Sequence, residues 1–151
     1  MKIERAKYTD ANELTNITLR AKGHWGYSEE QLEAWKEVLT IHAVYIEQNE
    51  VYTLIQHEKI IGYYSYTRID GDKVELDNIF LEPECIGKGY GKIMMQHFFK
   101  QIKTEHYRTV RLEADPNAEQ FYQKLGFRCI DRLESSIQGR FLPIMELNLR
   151  K

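Results

Sequence analysis

The sequence has little cysteine, little proline and no long apolar run. Its two cysteines, Cys85 and Cys129, lie far apart and outside any CxxC or Cys/His spacing. This pattern argues against a disulfide framework and a structural zinc site, so we expect no metal site. The three prolines are widely spaced and form no linker. No segment approaches the roughly 20 apolar residues that a membrane-spanning helix needs, so we expect no membrane partner.

An excess of one charge sign is also missing. The chain has 21 Lys and Arg against 23 Asp and Glu, for a formal net charge of −2. Surfaces that bind nucleic acid normally need a clear basic excess, so we expect no DNA or RNA partner. The first ten residues are charged where a signal peptide would be apolar. We therefore expect a cytoplasmic location.

The remaining composition is that of an ordinary globular protein. Of the 151 residues, 42% are hydrophobic and 29% are charged. A chain of this length can bury a substantial core, and its hydrophobic content is too high for a disordered protein. No internal repeat or low-complexity tract divides the sequence. We therefore expect a single domain that spans residues 1–151.

The first half of the chain predicts a first strand over 2–8, then two helices, then further strands. Asp10 suits the N-cap of a first helix, and Ser28 with Gln31 resembles a capping box that begins a second. Residues 40–50 fit neither pattern clearly. β-Branched and aromatic residues then predict three antiparallel strands joined by the turns Glu58-Lys59 and Asp70-Gly71-Asp72, at 51–57, 60–69 and 74–81.

The second half predicts a helix, a strand, a short helix and two strands. The first helix runs from about Tyr90 to Lys103, and its apolar stripe contains Tyr90, Ile93, Met94, Phe98 and Ile102. The later elements lie at 108–114, 117–125 (closed by Gly126), 127–133 and 141–149. The whole order predicts an α+β fold with a mixed sheet, in which the crossover over 74–114 makes two strands parallel neighbours.

A glycine-rich loop lies between a predicted strand and a predicted helix. It reads Ile86-Gly87-Lys88-Gly89-Tyr90-Gly91-Lys92. Its three glycines let the backbone turn sharply and approach a ligand without interference from Cβ atoms. The N–H groups at the start of the helix favour an anion. The loop therefore predicts a phosphate or pyrophosphate site, and a flexible turn between strand and helix is the alternative.

Two common phosphate-binding loops do not fit this spacing. The nucleoside-triphosphatase pattern GxxxxGK[ST] would need a glycine in place of Ile86 and a hydroxyl residue in place of Ile93. The dinucleotide pattern GxGxxG would need a glycine in place of Lys92 or Met94. Neither class of nucleotide-binding protein is therefore indicated.

Two segments resemble the GCN5-related N-acetyltransferase (GNAT) family. Residues 81–91 resemble its pyrophosphate-binding motif, with Gly89 and Gly91 at the glycine positions and Ile86 where the family has Arg or Gln. Residues 115–127 resemble its later motif, which has an Asn/Ala-containing start, a tyrosine and then Leu-Gly-Phe. The two motifs occur in the family's order, and the strand–helix order agrees along the chain.

The resemblance implies a mixed, mostly antiparallel central sheet flanked by helices, with a parallel strand pair splayed around a cofactor cleft. Acetyl-CoA would be the cosubstrate and would lie between the strands at 74–81 and 108–114. Ile79, Phe80 and Leu81 would offer backbone contacts to the pantetheine arm, and the Leu81 N–H would polarise the thioester carbonyl. The loop would bind the pyrophosphate through Ile86, Gly87, Lys88, Gly89, Tyr90, Gly91 and Lys92. Asn117 would contact the cofactor or only cap the short helix.

Three residues are candidates for acid–base catalysis. Period-two alternation places Glu75 and Asp77 on one strand face, and Glu75 matches the position of a base in some family members. Either carboxylate would act directly or through a water. Tyr122 matches the family's candidate acid for the CoA thiolate. The alternatives are solvated or salt-bridged carboxylates and a packed aromatic ring. Neither cysteine has a recognisable histidine partner, which favours direct transfer.

In this family the acceptor site usually involves the segment between the first two helices and the late loops. Here His24, Trp25 and Tyr27 fall in a predicted loop and would form a wall for a small amine or a cation. Alternatively, Trp25 fills the end of the core and the other two are surface residues. In the late segment at 135–143, Arg140 would bind an acceptor carboxylate or pair with a surface acid.

These features favour an acetyl-CoA-dependent N-acetyltransferase that transfers acetyl directly to the primary amine of a small-molecule acceptor. The alternatives are a protein or peptide N-acetyltransferase and a non-catalytic acyl-CoA-binding regulatory domain. Dimers are common in the family, so a homodimer is one option for the assembly.

Overall fold

The computed structural model describes residues 1–135 and 139–149. Its helices are α1 (Ala11–His24), α2 (Glu29–Leu39), α3 (Ala43–Gln48), α4 (Tyr90–Thr104) and α5 (Glu119–Lys124). Its strands are β1 (Lys2–Arg5), β2 (Glu50–Gln56), β3 (Lys59–Asp70), β4 (Lys73–Leu81), β5 (Thr109–Glu113), β6 (Arg128–Glu134) and β7 (Phe141–Asn148). This order confirms the prediction, and α3 occupies the stretch left unassigned. Within the described ranges, no helix is long and apolar enough to cross a membrane.

The strands form one mixed sheet in the order β1-β2-β3-β4-β5-β7-β6. Strands β4 and β5 are parallel, whereas β1 with β2, β2 with β3, and β7 with β5 and β6 are antiparallel. The predicted α+β fold with one parallel pair is therefore confirmed. The parallel register joins Lys73–Glu75 to Thr109–Arg111 and stops well before β4 ends.

The helix starts follow local capping chemistry. The Ser28 hydroxyl accepts a hydrogen bond from the Gln31 N–H at 3.0 Å, which confirms the predicted start of α2. Asp10 does occupy the N-cap position of α1, but its carboxylate accepts from the backbone N–H of Lys7 at 2.9 Å instead of capping the helix. The prediction was therefore correct for the position of Asp10 and wrong for its side chain.

The first of two compact units contains residues 1–66 and 78–99. On α1 the buried residues Leu14, Ile17, Thr18 and Ala21 follow helical spacing. The Thr18 hydroxyl donates to the Leu14 carbonyl at 2.8 Å and lies 2.5 Å from the buried Tyr63 hydroxyl. The two buried hydroxyl groups, those of Thr18 and Tyr63, are therefore paired with each other.

Two details of the first unit differ from the sequence prediction. The turn between β2 and β3 is His57-Glu58 rather than Glu58-Lys59, and both residues have positive φ, 52° and 64°. Such a turn matches the twist of a hairpin, but it usually contains Asn-Gly, so the sequence did not reveal it. On α4, Ile93 is 38% exposed and Met95 is fully buried. The core therefore covers a face slightly rotated from the predicted stripe.

The second unit contains residues 67–77 and 100–151, described here as far as Leu149 and without 136–138. Val110 and Leu112 on β5 and Met145 on β7 are buried in it. Gly126 follows α5 with φ +102°, a conformation that favours glycine, as the predicted C-cap requires. Helix α5 therefore ends where the sequence indicates.

Gly62 in β3 faces the end of β4 at very short range. A Cβ atom at Gly62 would lie 2.7 Å from Leu81 Cδ2 and 2.9 Å from the Phe80 carbonyl oxygen. The Leu81 side chain can rotate, but the carbonyl belongs to the backbone and cannot move alone. Gly62→Ala is therefore expected to lower the free energy of unfolding by about 2 kcal/mol and to displace the end of β4.

Urea unfolding measures this effect. Gly71→Ala is the control, because a Cβ at Gly71 meets nothing within 4 Å. Equal stability of the two variants would contradict the close approach of β3 and β4 at Gly62.

Candidate functional site

The glycine-rich loop forms an open backbone turn before α4. Gly87 and Gly89 both have φ +85°, which strains other residues, and a Cβ at either position would meet nothing within 4 Å. The Ile93 N–H donates to the Gly89 carbonyl at 3.2 Å, so the helical hydrogen bonds begin there. The N–H groups at 90–92 are those that helix geometry leaves without intrahelical acceptors. These features suit a backbone site for an anion.

Among the larger side chains of the loop, one is hydrogen-bonded to a strand, two are exposed and one is half-buried. The Tyr90 hydroxyl accepts from Gln56 Nε2 at 3.1 Å, so this ring is tied to β2. Lys88 and Lys92 are exposed, and Ile86 is half-buried. The lysines thus place positive charge beside the turn, and Tyr90 offers it only a backbone N–H.

The end of β4 is held by an ion pair that the sequence did not reveal. Ile79, Phe80 and Leu81 are half-buried, and the next residue, Glu82, is only 2% exposed. Arg20 on α1 donates to both Glu82 oxygens, from Nε at 2.8 Å and from Nη2 at 2.6 Å. The two residues are 62 positions apart, and no local pattern joins them. This bidentate pair anchors the start of the turn that leads into the loop.

In the second unit, Glu75 lies opposite Arg111 in the parallel register of β4 and β5. Arg111 Nη1 is 2.9 Å from Glu75 Oε2, and Arg111 Nη2 is 3.6 Å from Glu113 Oε2. Burial raises the pKa of Glu75 above its ordinary value, and Arg111 opposes that rise. Asp77 is exposed. Of the alternatives for these carboxylates, Glu75 is thus salt-bridged, with a pKa shifted in the direction that suits a base.

Tyr122 on α5 is 6% exposed and packs between the rings of Phe121 and Phe127, with centroids 5.2 and 5.7 Å away. Burial raises the pKa of its hydroxyl, and Asp115 adds to the rise. No described side-chain nitrogen or oxygen that is fully buried lacks a hydrogen-bond partner. The ring is therefore packed and almost fully buried, as the packing alternative stated. The acid role of the hydroxyl stays a proposal.

Asp115 contacts two predicted site residues, Asn117 and Arg140. Its Oδ1 accepts from the backbone N–H and from the side-chain amide of Asn117, both at 2.9 Å. Its Oδ2 lies 3.2 Å from Arg140 Nη2. Asp115 thus caps the turn at Pro116–Ala118, and Asn117 donates to it instead of capping the short helix, so that alternative for Asn117 is wrong. Arg140 pairs with an acid, as its alternative stated. The neighbouring positions 136–138 of the predicted late segment lie outside the described residues.

The segment between the first two helices corrects one prediction. His24 was expected in a loop, but it is the last residue of α1, and Trp25 is the C-cap. Gly26 follows with φ +89°, a conformation that favours glycine and ends the helix. The rings of exposed His24 and of Trp25 lie 5.1 Å apart. Trp25 is 41% exposed, so it does not fill the end of the core. Half-buried Tyr27 instead meets Trp35, at 5.0 Å.

Lys22 lies at the centre of this aromatic group. Its Nζ is 5.9 Å from the ring centroid of Tyr27, 5.7 Å from that of Trp35 and 5.9 Å from that of Phe80. Among these residues, the sequence predicted a site role only for Tyr27 and for the backbone of Phe80. Their meeting at one ammonium is a contact that only folding brings about.

The two cysteines and the potential metal-binding side chains of the described residues indicate no second reactive site. Burial raises the pKa of the Cys85 thiol, which keeps it protonated and a poor nucleophile. Cys129 Sγ contacts the Asp131 carbonyl at 3.2 Å. Among residues 1–135 and 139–149, no three His, Cys, Asp or Glu side chains are grouped to hold a metal ion.

Parts of the chain are similar to curated N-acetyltransferases. An uncharacterized N-acetyltransferase, ycf52, from Porphyra purpurea is 30% identical over 69 residues, which are 46% of this chain and 40% of that relative. A [ribosomal protein bS18]-alanine N-acetyltransferase from Haemophilus influenzae is 32% identical over 80 residues, 52% of this chain and 54% of that relative. The matches thus span about half or less of these curated relatives.

A solved structure and a family model cover more of the chain. The crystal structure of PaiA N-acetyltransferase from Thermoplasma acidophilum, in complex with coenzyme A, matches with a TM-score of 0.80 and 22% identity. The match covers 97% of this chain and 98% of that one, and at this identity it shows a shared fold. The model of the acetyltransferase (GNAT) domain matches residues 26–149. The chain therefore belongs to the GNAT acetyltransferase family.

Proposed function

We propose that this protein is an N-acetyltransferase that transfers acetyl from acetyl-CoA directly to the primary amine of a small molecule. The observation that carries the proposal is the open turn at Gly87 and Gly89, followed by the N-terminus of α4. A pyrophosphate is the anion that such a turn suits, and acetyl-CoA carries one. Family membership makes acetyl-CoA the expected donor.

The backbone of the chain would hold the donor. The N–H groups of the loop from Ile86 to Lys92 bind the pyrophosphate, and Lys88 and Lys92 add positive charge. The backbone of Ile79–Leu81 pairs with the pantetheine arm as an added strand does. The Leu81 N–H then donates to the thioester carbonyl oxygen, where negative charge develops.

Two proton transfers complete the proposed reaction. The acceptor amine must lose a proton, and Glu75 or Asp77 takes it directly or through a water. The new N–C bond forms as the C–S bond breaks, and the Tyr122 hydroxyl protonates the departing CoA thiolate. Burial raises the pKa of Tyr122, so the phenol carries this proton when the reaction begins.

Arg111→Met tests the base through pH. Removing the guanidinium takes away the charge that opposes the raised pKa of Glu75, so that pKa rises further. If Glu75 is the base, the acidic limb of kcat/KM is expected to move up by about one pH unit. Arg108→Met, at an exposed arginine just before β5, is the matched control and leaves the limb in place. An unmoved limb in Arg111→Met would assign the base to Asp77 or to a water.

Calorimetric titration with acetyl-CoA, CoA and ATP tests the binding site. We expect selective binding of both CoA species and at least tenfold weaker binding by Gly89→Val, since valine cannot adopt φ +85° without strain. Circular dichroism establishes that the variant is folded. Wild-type protein that binds neither CoA species would contradict the proposal.

A protein N-terminus is the second candidate acceptor. The Haemophilus influenzae relative is named as an alanine N-acetyltransferase of a ribosomal protein, and it supports this option. The three aromatic rings around Lys22 (Tyr27, Trp35 and Phe80) suit a small cation and therefore support the small amine. Parallel assays with small amines and with an alanine-terminated peptide decide between them by kcat/KM. A single domain over 1–151, a cytoplasmic location and homodimer formation stay predictions from the sequence.

A further inference from the structure

Three aromatic rings from three parts of the first unit meet at one ammonium. Tyr27 precedes α2, Trp35 lies on α2 and Phe80 lies on β4, and each ring centroid is within 6 Å of Lys22 Nζ. We propose that these rings form a cation-binding cage for the acceptor, and that Lys22 occupies the cage until the acceptor displaces it.

The chemistry of the cage fits a cationic ligand. An ammonium over several aromatic faces is attracted by their quadrupoles, and aromatic cages are a recurrent way in which proteins recognise quaternary ammonium groups. All three aromatic residues and Lys22 are half-buried, so the cage is partly desolvated and still open to exchange. A purely apolar pocket would not attract a lysine ammonium away from water. Lys22 Nζ thus lies within cation–π distance of all three rings.

Lys22 is suited to leave the cage. It lies in the last turn of α1, where the helix dipole favours a cation. Its flexible four-carbon stem lets the ammonium move from the rings towards solvent without any change in the helix. The displaced ammonium regains its hydration, and the entering cation takes over the three ring contacts.

The cage also indicates the class of acceptor. Phe80 belongs to the Ile79–Leu81 segment to which the proposed function assigns the pantetheine arm, so the inference rests on that function for its biological meaning. The reacting amine must be neutral to attack, whereas the cage holds a charge. The acceptor is therefore an amine that carries a second, cationic group.

The test uses tetramethylammonium as the probe on the full chain. Lys22→Ala empties the cage, and Lys36→Ala removes the same charge from an exposed position beside Trp35 on α2. Binding is followed by NMR titration of the Trp35 indole signal, assigned with Trp35→Phe; the chain has two tryptophans. We expect Lys22→Ala to bind the probe at least tenfold more tightly than the wild type, Lys36→Ala or Lys22→Arg.

Adding Trp35→Leu to Lys22→Ala is expected to abolish that gain. Equal affinities of Lys22→Ala and Lys36→Ala would overturn the cage. Thermal unfolding of each variant establishes that it is folded, and acetyl-CoA titration reports separately on the donor site. Probe binding without acetyl-CoA binding would support the cage and contradict the proposed transferase. Acetyl-CoA binding without tighter probe binding by Lys22→Ala would contradict the cage and support the donor site of the proposed transferase.

Discussion

Replacing Tyr122 by phenylalanine is expected to lower kcat about a hundredfold while the Kd for acetyl-CoA stays unchanged. The substitution removes one oxygen and keeps the ring that packs between Phe121 and Phe127. The fold should therefore survive, and the loss should appear in turnover alone.

The measurement is steady-state turnover together with calorimetric binding of acetyl-CoA. Tyr107→Phe is the matched control, since Tyr107 is a half-buried tyrosine with no proposed role. Unchanged turnover in Tyr122→Phe would make Tyr122 a packing residue. A weaker donor affinity with normal kcat would point to a contact with the cofactor rather than to an acid.

Replacing Arg20 by alanine is expected to lower the free energy of unfolding by about 3 kcal/mol. Glu82 is 2% exposed, and without Arg20 its carboxylate would stay buried with neither of its bidentate contacts. Glu82 directly follows Leu81, so we also expect weaker binding of acetyl-CoA as the end of β4 loosens. Urea unfolding and calorimetry measure the two effects.

The control is an exposed ion pair in the same unit. Arg5 Nη1 lies 3.3 Å from Glu50 Oε1 at the surface, and Arg5→Ala should cost less than about 1 kcal/mol. Arg20→Lys should recover only part of the loss, because an ammonium cannot donate to both carboxylate oxygens as a guanidinium does. Equal costs for Arg20→Ala and Arg5→Ala would show that the Glu82 carboxylate is solvated.

Features encoded within a few residues were predicted well. The Ser28 N-cap, the glycine that follows α5 at Gly126 and the strand–helix order each depend on neighbours along the chain, and the structure bears them out. The glycine-rich loop is of the same kind, since its conformation requires glycine at Gly87 and Gly89. The resemblance to the GNAT family rested on such local motifs.

Errors arose where tertiary contacts overrode local signals. The His57-Glu58 turn takes positive φ without glycine because the strands on either side set its geometry. The end of α1 was placed too early, since α1 continues through Gly23 and His24. For Glu75 the sequence left a salt bridge as one alternative, and its partner Arg111 became known only from the register of β4 and β5.

The sequence by itself determined the family, the order of the elements and the glycine-rich loop, because each is written in short motifs with local physical causes. Only the tertiary structure decided which distant side chains meet. It joined Arg20 to Glu82, and Lys22 to Tyr27, Trp35 and Phe80. Such pairings depend on packing between elements far apart in the chain, for which no periodicity or motif carries a signal.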